Sequence, residues 1–321
     1  MIGMSKKVID VKGLGGIDAR HTRDLSHFST GKNFLTQGGA LKTRNGCSEV
    51  TSSFAAPVIA LFKAGMPTIQ TRLLAQEGRN LHHLVNGSWS TLKSDLTADK
   101  RLKGCRLINK LILVNGPERL SYDISSGTLS SLVVSGDTQI PNLEYVVTWK
   151  FRVFGWAPNY AGSNYLRFCG SVSDAEGGDP DDFTIDPTVW PPDFTLDISG
   201  DAGAPLLMAL PFGNHLLCLA KNNYWMVYGN TEEDFQTQYG GTTNVHSPET
   251  CSLVGSTAFW LGVENDKPHV YAYTGTEPES ISAPVDELLA DMSLSNVISF
   301  SFQSQYWLVF RDSTKSTAFI F

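Results

Sequence analysis

Six segments of the sequence share one pattern, in which two runs of β-forming residues flank a short polar or Gly/Asn turn. Alternating apolar and polar residues around such a turn are the sequence signature of a β-hairpin. One hairpin alone cannot bury its apolar face, so six successive hairpins must bury their apolar faces against one another. The chain is therefore predicted to be all-β. The six predicted hairpins are 72–84, 110–122, 151–168, 214–228, 257–273 and 305–321.

The spacing of these hairpins indicates how they are arranged. They begin at residues 72, 110, 151, 214, 257 and 305, so most of them recur about every 40 to 50 residues. A four-stranded propeller blade has that length, and the chain is predicted to form a β-propeller of about six blades. A β-sandwich is the alternative, but sandwich strands are more evenly spaced. The longest interval contains the Pro-, Asp- and Gly-rich insertion 173–193, which is predicted to be a loop because it cannot continue a strand ladder.

The N-terminal region differs from the repeats. Residues 1–30 have mixed charge and little periodicity and are predicted to form an extended arm, with the propeller spanning 31–321. The sixth hairpin lacks a following strand. A propeller ring is commonly closed by an N-terminal strand that completes the last blade, and residues 33–44 are the expected source of that strand. Residues 284–292 carry the one strong helix signal and are predicted to link the last two blades.

Composition limits the possible functions. The chain has 321 residues, of which 41% are hydrophobic, enough for a sizeable core. Charged residues make up 18%, below the usual quarter, and aromatic residues 11%, which favours either contact with other subunits or a polar uncharged surface. The net charge of −7 argues against tight binding to nucleic-acid phosphates but permits DNA to slide past.

Cysteine usage and hydropathy indicate the cellular setting. The five cysteines are widely spaced and contain no CxxC pair, so neither a zinc ribbon nor a disulfide framework is predicted. The first residues contain no apolar signal-peptide core, and no apolar run is long enough to cross a membrane. The protein is therefore expected to assemble in a reducing cytoplasm without inserting into a membrane.

Two groups of residues are candidates for contacts beyond the fold. Acidic side chains crowd the insertion, where they form either a solvated loop or a calcium site, although EF-hand spacing is absent. Basic side chains near the N-terminus and one tryptophan of the insertion are candidate contacts to a neighbouring subunit, the alternatives being solvated surface and local packing. The acidic candidates are Asp174, Glu176, Asp179, Asp181 and Asp182; the interface candidates are Arg20, Arg23, Lys32, Arg44 and Trp190.

No motif for catalysis or a cofactor is identified. His82 and His83 are adjacent and should point to opposite faces of a strand, so they are not expected to share a metal ion. The chain contains neither a P-loop nor a G-x-S-x-G nucleophile elbow. A carboxylate pair assembled from distant residues would escape this search, so a propeller hydrolase of the glycosidase or lactonase type stays an alternative, as does a carbohydrate-binding propeller.

Several short elements, taken in order, resemble the tail nozzle and packaged-DNA-stabilisation proteins of bacteriophages, a family of head-completion β-propellers. Gly39, Leu41, Arg44 and Gly46 are similar to that family's early G-x-L-x-x-R-P-G element, with Asn45 in place of proline. Further similar stretches are its K-x-R-L-F strand at 151–154, its D-x-x-D-F loop at 181–184, and the elements at 210–212, 269–273 and 279–282.

This resemblance implies a structural role without catalysis or cofactor. It implies a homo-oligomeric ring, commonly of six subunits, in the tail of a virion. One rim of the ring would contact adaptor, portal or tube proteins. Double-stranded DNA would pass through the lumen without sequence specificity and be retained there until ejection. If the acidic insertion faces this lumen, its five candidate carboxylates would repel the DNA phosphates and ease passage.

Overall fold

The computed structural model describes the backbone of residues 7–11, 17–21, 34–37, 40–43, 54, 56–66, 69–132, 142–159, 163–174, 178, 181–182, 184–198, 204–311 and 316–321. Side chains are described for those residues from 54 onward, apart from 66 and 69–71. The chain forms two compact units. The four-blade unit comprises Glu49–Ala220 and Tyr224–Tyr239, and the two-blade unit comprises Met1–Ser48, Lys221–Asn223 and Gly240–Phe321.

The fold is a β-propeller of six blades, and its sheets are antiparallel meanders. In chain order, four strands precede the first blade: β1 (Lys7–Val11), β2 (Ile17–His21), β3 (Phe34–Gln37) and β4 (Ala40–Thr43). Blade 1 consists of β5 (Val58–Met66), β6 (Ile69–Glu77), β7 (Asn80–Val85) and β8 (Ser88–Lys93). Blade 2 consists of β9 (Lys103–Leu107), β10 (Lys110–Val114), β11 (Arg119–Asp123) and β12 (Leu129–Ser131).

The remaining blades follow the same scheme. Blade 3 consists of β13 (Tyr145–Trp149), β14 (Arg152–Trp156), β15 (Tyr165–Phe168) and β16 (Thr195–Asp197). Blade 4 consists of β17 (Leu206–Phe212), β18 (His215–Ala220), β19 (Asn223–Tyr228) and β20 (Gln236–Thr242). Blade 5 consists of β21 (Ser252–Val254), β22 (Thr257–Glu264), β23 (Lys267–Tyr273) and β24 (Glu279–Ser280). Blade 6 contains β25 (Val297–Phe302), β26 (Gln305–Arg311) and β27 (Ser316–Ile320).

All six predicted hairpins are confirmed. Each forms the second and third strands of a blade, from β6–β7 in blade 1 to β26–β27 in blade 6. The predicted helix at 284–292 is also found, as a 3-10 turn at Ala283–Val285 followed by α1 (Asp286–Ala290). Among the described residues, further 3-10 turns lie at Val172–Asp174, Pro248–Thr250 and Leu294–Asn296.

Closure of the last blade corrects the prediction. β1 pairs with β27, and β2 pairs with β1, so blade 6 has the strand order β2-β1-β27-β26-β25. The arm predicted over 1–30 therefore supplies two strands. The expected source, residues 33–44, instead forms the hairpin β3–β4, which pairs with itself in a separate two-stranded sheet. Alternation in Lys7–Val11 is too short to distinguish it from a coil by sequence.

The core lies between neighbouring blades. Within the four-blade unit, an aromatic cluster of Trp149, Phe154, Phe168 and Phe235 joins blades 3 and 4, with ring centroids 5.1 to 5.6 Å apart. Within the two-blade unit, Leu261 and Leu308 belong to one buried cluster. Within each unit, these clusters confirm that neighbouring blades bury their apolar faces on one another.

The described cysteines behave as small apolar residues. Cys169, Cys218 and Cys251 are buried, and all four described thiols are free. Burial raises the pKa of the Cys105 and Cys169 thiols to about 12. Because the thiolate is the reactive form, these residues are poor nucleophiles and poor metal ligands in the folded protein. Cys47 lies outside the described residues.

Candidate docking site

The first-turn edge of each blade is the edge that carries the turn between its first and second strands. Because antiparallel strands alternate in direction, the connection between the third and fourth strands lies at this edge too. In the four-blade unit, Ile108 of the β9–β10 turn is 61% exposed, and Phe151 of the β13–β14 turn is 80% exposed. A single exposed apolar side chain is common on protein surfaces and indicates no function by itself. The backbone conformation at these two positions provides the further evidence.

Ile108 has a backbone conformation that disfavours isoleucine. Its φ is 51°, in the left-handed region that β-branched residues rarely enter. In three other described two-residue turns only the first residue has a positive φ, as at Ile108, and each of these turns begins with glycine: Gly78 at 52°, Gly213 at 56° and Gly255 at 60°. Holding a non-glycine residue there costs on the order of 1–3 kcal/mol. The chain thus accepts strain to present an apolar side chain at this turn.

Phe151 occupies the tip of a turn with the same property. Lys150 and Phe151 have φ values of 48° and 58°, and paired positive values define the type I′ hairpin turn, which favours Asn-Gly. Elsewhere the chain builds such turns from Asn86-Gly87, from Asn265-Asp266 and, in blade 6, from Gln303-Ser304. The β13–β14 turn therefore also contains residues that disfavour its backbone conformation.

Arg106 braces the Ile108 turn. Its Nε donates a hydrogen bond to the carbonyl oxygen of Ile108 at 2.8 Å, and its Nη1 donates to the carbonyl of Gly65 in blade 1. Thr148 of blade 3 donates from Oγ1 to the carbonyl of Arg106 at 2.5 Å. One residue thus ties the first strands of three blades together at their first-turn edges.

The Phe151 turn is anchored on both sides. On one side, Lys150 donates from Nζ to Asn230 Oδ1 at 2.7 Å and lies 5.7 Å from the centre of the Trp149 ring. Asn230 belongs to the loop between β19 and β20, which Asp234 holds in shape by accepting from two backbone amides. These amides lower the pKa of the Asp234 carboxyl below its usual value.

On the other side of the turn, Arg152 is buried, with its side chain 7% exposed. Its Nη1 donates to the carbonyl of Cys169 at 2.8 Å, and its Nη2 forms an ion pair with Glu232 of the same β19–β20 loop. Phe151 is therefore exposed on a preorganised support, which lowers the entropic cost of burying it against a partner.

In the two-blade unit, exposed apolar side chains lie in the strand that leads into a polar first turn, Gln303-Ser304. Phe300 and Phe302 of β25 are 41% and 48% exposed, and residues 300–305 are all exposed and uncharged. The turns between second and third strands carry polar residues too, such as Gly78-Arg79, Lys221-Asn222 and Asn265-Asp266. The two described turn tips that expose large apolar side chains, Ile108 and Phe151, are both first turns, whereas the first turns of blades 4 to 6 are polar. The first-turn edges at blades 2 and 3 are therefore the candidate docking site.

The strain at Ile108 leads to a stability prediction. Ile108→Gly is expected to raise the free energy of unfolding by about 1 kcal/mol, because relief of 1–3 kcal/mol of strain exceeds the entropic cost of glycine. Gly213→Ile is the matched reverse change: nothing lies within 4 Å of a Cβ at Gly213, so only its φ opposes the substitution. It should lower stability, and urea denaturation measures both. Equal stability of Ile108→Gly and the parent chain would show that the turn relaxes without strain.

The acidic insertion connects β15 to β16, so it lies at the first-turn edge of blade 3. Of the five acidic candidates, Asp174, Asp181 and Asp182 are described, whereas Glu176 and Asp179 are not. Asp174 Oδ2 accepts from the amide and hydroxyl of Ser171 at 2.6 and 2.7 Å. Asp182 accepts from the amide of Thr184, and hydrogen bonds from Thr184 lower the pKa of the Asp182 carboxyl. These carboxylates shape the loop.

The interface candidates have mixed outcomes. Trp190 is a correction: it is 4% exposed, packs in the cluster between blades 2 and 3, and donates from Nε1 to the carbonyl of Pro187 at 2.8 Å. It cannot anchor a neighbour in this conformation. Arg20 lies in β2, where only the backbone is described. The interface candidates Arg23, Lys32 and Arg44, and the resemblance residues Gly39 and Gly46, lie outside the described residues, and Leu41 lies in β4.

The adjacent histidines make separate contacts, each with different residues. His82 Nε2 lies 3.0 Å from Glu77 Oε2, and Thr91 Oγ1 lies 3.1 Å from His82 Nδ1. His83 Nδ1 lies 3.2 Å from the hydroxyl of Tyr122 in blade 2. Among the described side chains, no three His, Cys, Asp or Glu residues are grouped as metal ligands.

His215 gives the fold a pH dependence of known sign. It is 7% exposed, and burial lowers its pKa from the ordinary value of 6.5. The unfolded chain therefore binds a proton more readily than the folded chain, and stability should fall as the pH drops below about 6.5. His215→Phe, which keeps a ring beside Phe212 and Tyr228, should lose less stability between pH 7 and 5. Urea midpoints at several pH values test this; identical pH slopes would contradict it.

Sequence reasoning missed Ile108 and Phe151, the central residues of the docking site. The available signal was a bulky apolar residue between two strands that pair across a two-residue turn, where glycine or asparagine is the rule. Phe151 belonged to a predicted hairpin, but it was placed inside a strand. Detecting the signal requires the strand register, since the turn positions follow from it.

Comparisons with known proteins concern the fold. No family model matches the chain, and no curated protein matches it. Among solved structures, it is similar to the extracellular domain of BT4673 from B. thetaiotaomicron, with a TM-score of 0.50, 15% identity, and coverage of 98% of this chain and 39% of that one. YjhT gives a TM-score of 0.49 at 7% identity, covering 85% of this chain and 96% of its own. The chain thus spans about two fifths of the BT4673 structure, and at these identities the likeness is one of fold alone.

No helix among the described residues is long and apolar enough to cross a membrane.

Proposed function

We propose that this chain is a structural subunit that joins other proteins through its first-turn edges. The observation that carries the proposal is the pair of strained, braced turns that expose Ile108 and Phe151. Backbone strain of this kind clusters at functional sites. Exposed aromatic and aliphatic tips on a rigid support are typical anchors of protein–protein interfaces.

The family resemblance indicates which kind of assembly such a structural subunit would form. It supports a tail nozzle or head-to-tail channel ring of a bacteriophage, six-fold by preference, in which copies of the chain surround packaged DNA. The low content of charged residues, 18%, supports contact with other subunits. The net charge of −7 supports a lumen past which DNA moves without adhering.

The test is the mass and shape of the assembled protein. The purified chain is examined by light scattering and electron microscopy, alone and with particles that lack it but hold the preceding tail proteins. Rings, or particles decorated at one end of the tail, are the expected result. A chain that stays monomeric over a wide concentration range and never decorates such particles would contradict the proposal.

A hydrolase is the second candidate, supported by one feature. Thr91, His82 and Glu77 are hydrogen bonded in the order nucleophile, base and acid, and Thr91 is exposed. In this chain of bonds the hydroxyl contacts Nδ1, whereas the nucleophile of a serine protease contacts Nε2. Hydrolysis of activated esters that Thr91→Ala abolishes, with the fold intact, would favour this function over a structural role.

A further inference from the structure

Blade 6 is built from two distant parts of the chain. β25, β26 and β27 come from residues 297–320, and β1 and β2 come from residues 7–21. The link between the two parts is the β1–β27 ladder, with Cα partners Val8↔Phe319, Ile9↔Ala318, Asp10↔Thr317 and Val11↔Ser316. Without β1, Ser316–Ile320 would present a strand edge of β-forming residues, which is a template for another strand.

The connection from β2 to blade 1 is long. Residues 22–57 join His21 to Val58, and β3–β4 folds back on itself within that stretch. Phe54 already contacts His82 and Trp89 of blade 1, so the residues free to extend are 22–33 and 44–53, which could span roughly 75 Å. A compact chain of this length has a diameter on the order of 50 Å. The β1–β2 hairpin can therefore reach β27 of an adjacent copy as well as its own β27.

We propose that neighbouring copies in the assembled ring exchange this hairpin, so that β1 of one copy pairs with β27 of the next. The inference rests on the proposed ring. The same backbone hydrogen bonds form within a chain or between chains, so exchange costs little once copies are held side by side. Each copy would donate one hairpin and accept one. Such head-to-tail contacts close into a ring when the rotation between copies permits.

The exchange is tested with single cysteines on two differently tagged chains. In a Cys47→Ser background, one chain carries Val11→Cys and the other carries Ser316→Cys, and the two are co-expressed and oxidised. Directly opposite antiparallel residues have Cα atoms about 4.5–5.5 Å apart, within disulfide range. A disulfide joining the two tags requires β1 of one chain to pair with β27 of another. The double variant should then give covalent ladders up to the ring.

Ile17→Cys with Ser316→Cys is the matched control. Ile17 is the partner of Val11 in β2, one strand further from β27, and strands two positions apart are separated by roughly 9.5 Å, too far for a disulfide. Rings whose double variant forms only intrachain disulfides would overturn the exchange and leave the proposed ring standing. Absence of any Val11–Ser316 disulfide would overturn the β1–β27 pairing and the exchange with it. A chain that never forms rings would overturn both proposals.

Discussion

Glu232→Gln is expected to lower the free energy of unfolding by about 3 kcal/mol, because it leaves the Arg152 guanidinium buried without its counter-charge. The Arg152 side chain is 7% exposed and that of Glu232 is 26% exposed, so water replaces little of the lost interaction. A carbonyl oxygen of Cys169 is the other acceptor of this guanidinium, and it carries no full charge. Urea denaturation followed by circular dichroism measures the loss.

Glu233→Gln is the matched control. Glu233 is the next residue of the same loop and is exposed, so its neutralisation should change the free energy of unfolding by less than about 0.5 kcal/mol. If both variants lose the same small amount, the Arg152–Glu232 pair is solvated and the support of the Phe151 turn is weaker than the structure indicates.

The second large effect concerns docking. Phe151→Asn combined with Ile108→Gly removes both exposed anchors and gives each turn a residue that tolerates positive φ. Hot-spot residues contribute 2 kcal/mol or more each, so binding to tail particles that lack the chain should weaken at least 100-fold. Folding should be unchanged or improved. Electron microscopy counts the particles that carry the protein at each concentration.

Leu288→Ser serves as the control for general loss of apolar surface. Leu288 is 41% exposed on α1 and does not lie on a first turn, so its variant should decorate particles like the parent chain. Full decoration by the double variant would show that the first-turn edges do not dock, whereas equal loss in both variants would show that apolar surface in general drives the association.

The hairpins were predictable because their determinants are local. Alternating strands and a short polar turn lie within about fifteen residues of each other, and each of the six predicted pairs is found in the structure. The closing strand was not predictable in the same way, since β1 pairs with residues some 300 positions away. By sequence alone, short segments such as Lys7–Val11 and 33–44 are equally able to pair with the edge of β27. Tertiary packing determines which of them does so.

The docking site was harder to predict than the fold. Charge drew attention to the acidic insertion, yet Asp174 and Asp182 are engaged in capping backbone amides of their own loop. Trp190 was a candidate because it lies among prolines in the insertion. Its indole N–H donates to the nearby carbonyl of Pro187, so the ring can be buried without an unpaired polar group. Ile108 and Phe151 are candidate anchors because they lie at turn tips. The turn positions follow from the pairing register of the flanking strands, which the sequence alone does not give.

The two-ended construction of blade 6 has a consequence for biosynthesis. On the ribosome, β1 emerges about 300 residues before β27. At 5–20 residues per second, roughly 15 to 60 seconds separate them. The sheets between them have time to fold during translation, whereas β1 has no β27 to pair with until that strand is synthesised. In that interval β1 is available to any chain already completed nearby, and crowded polysomes would favour such encounters.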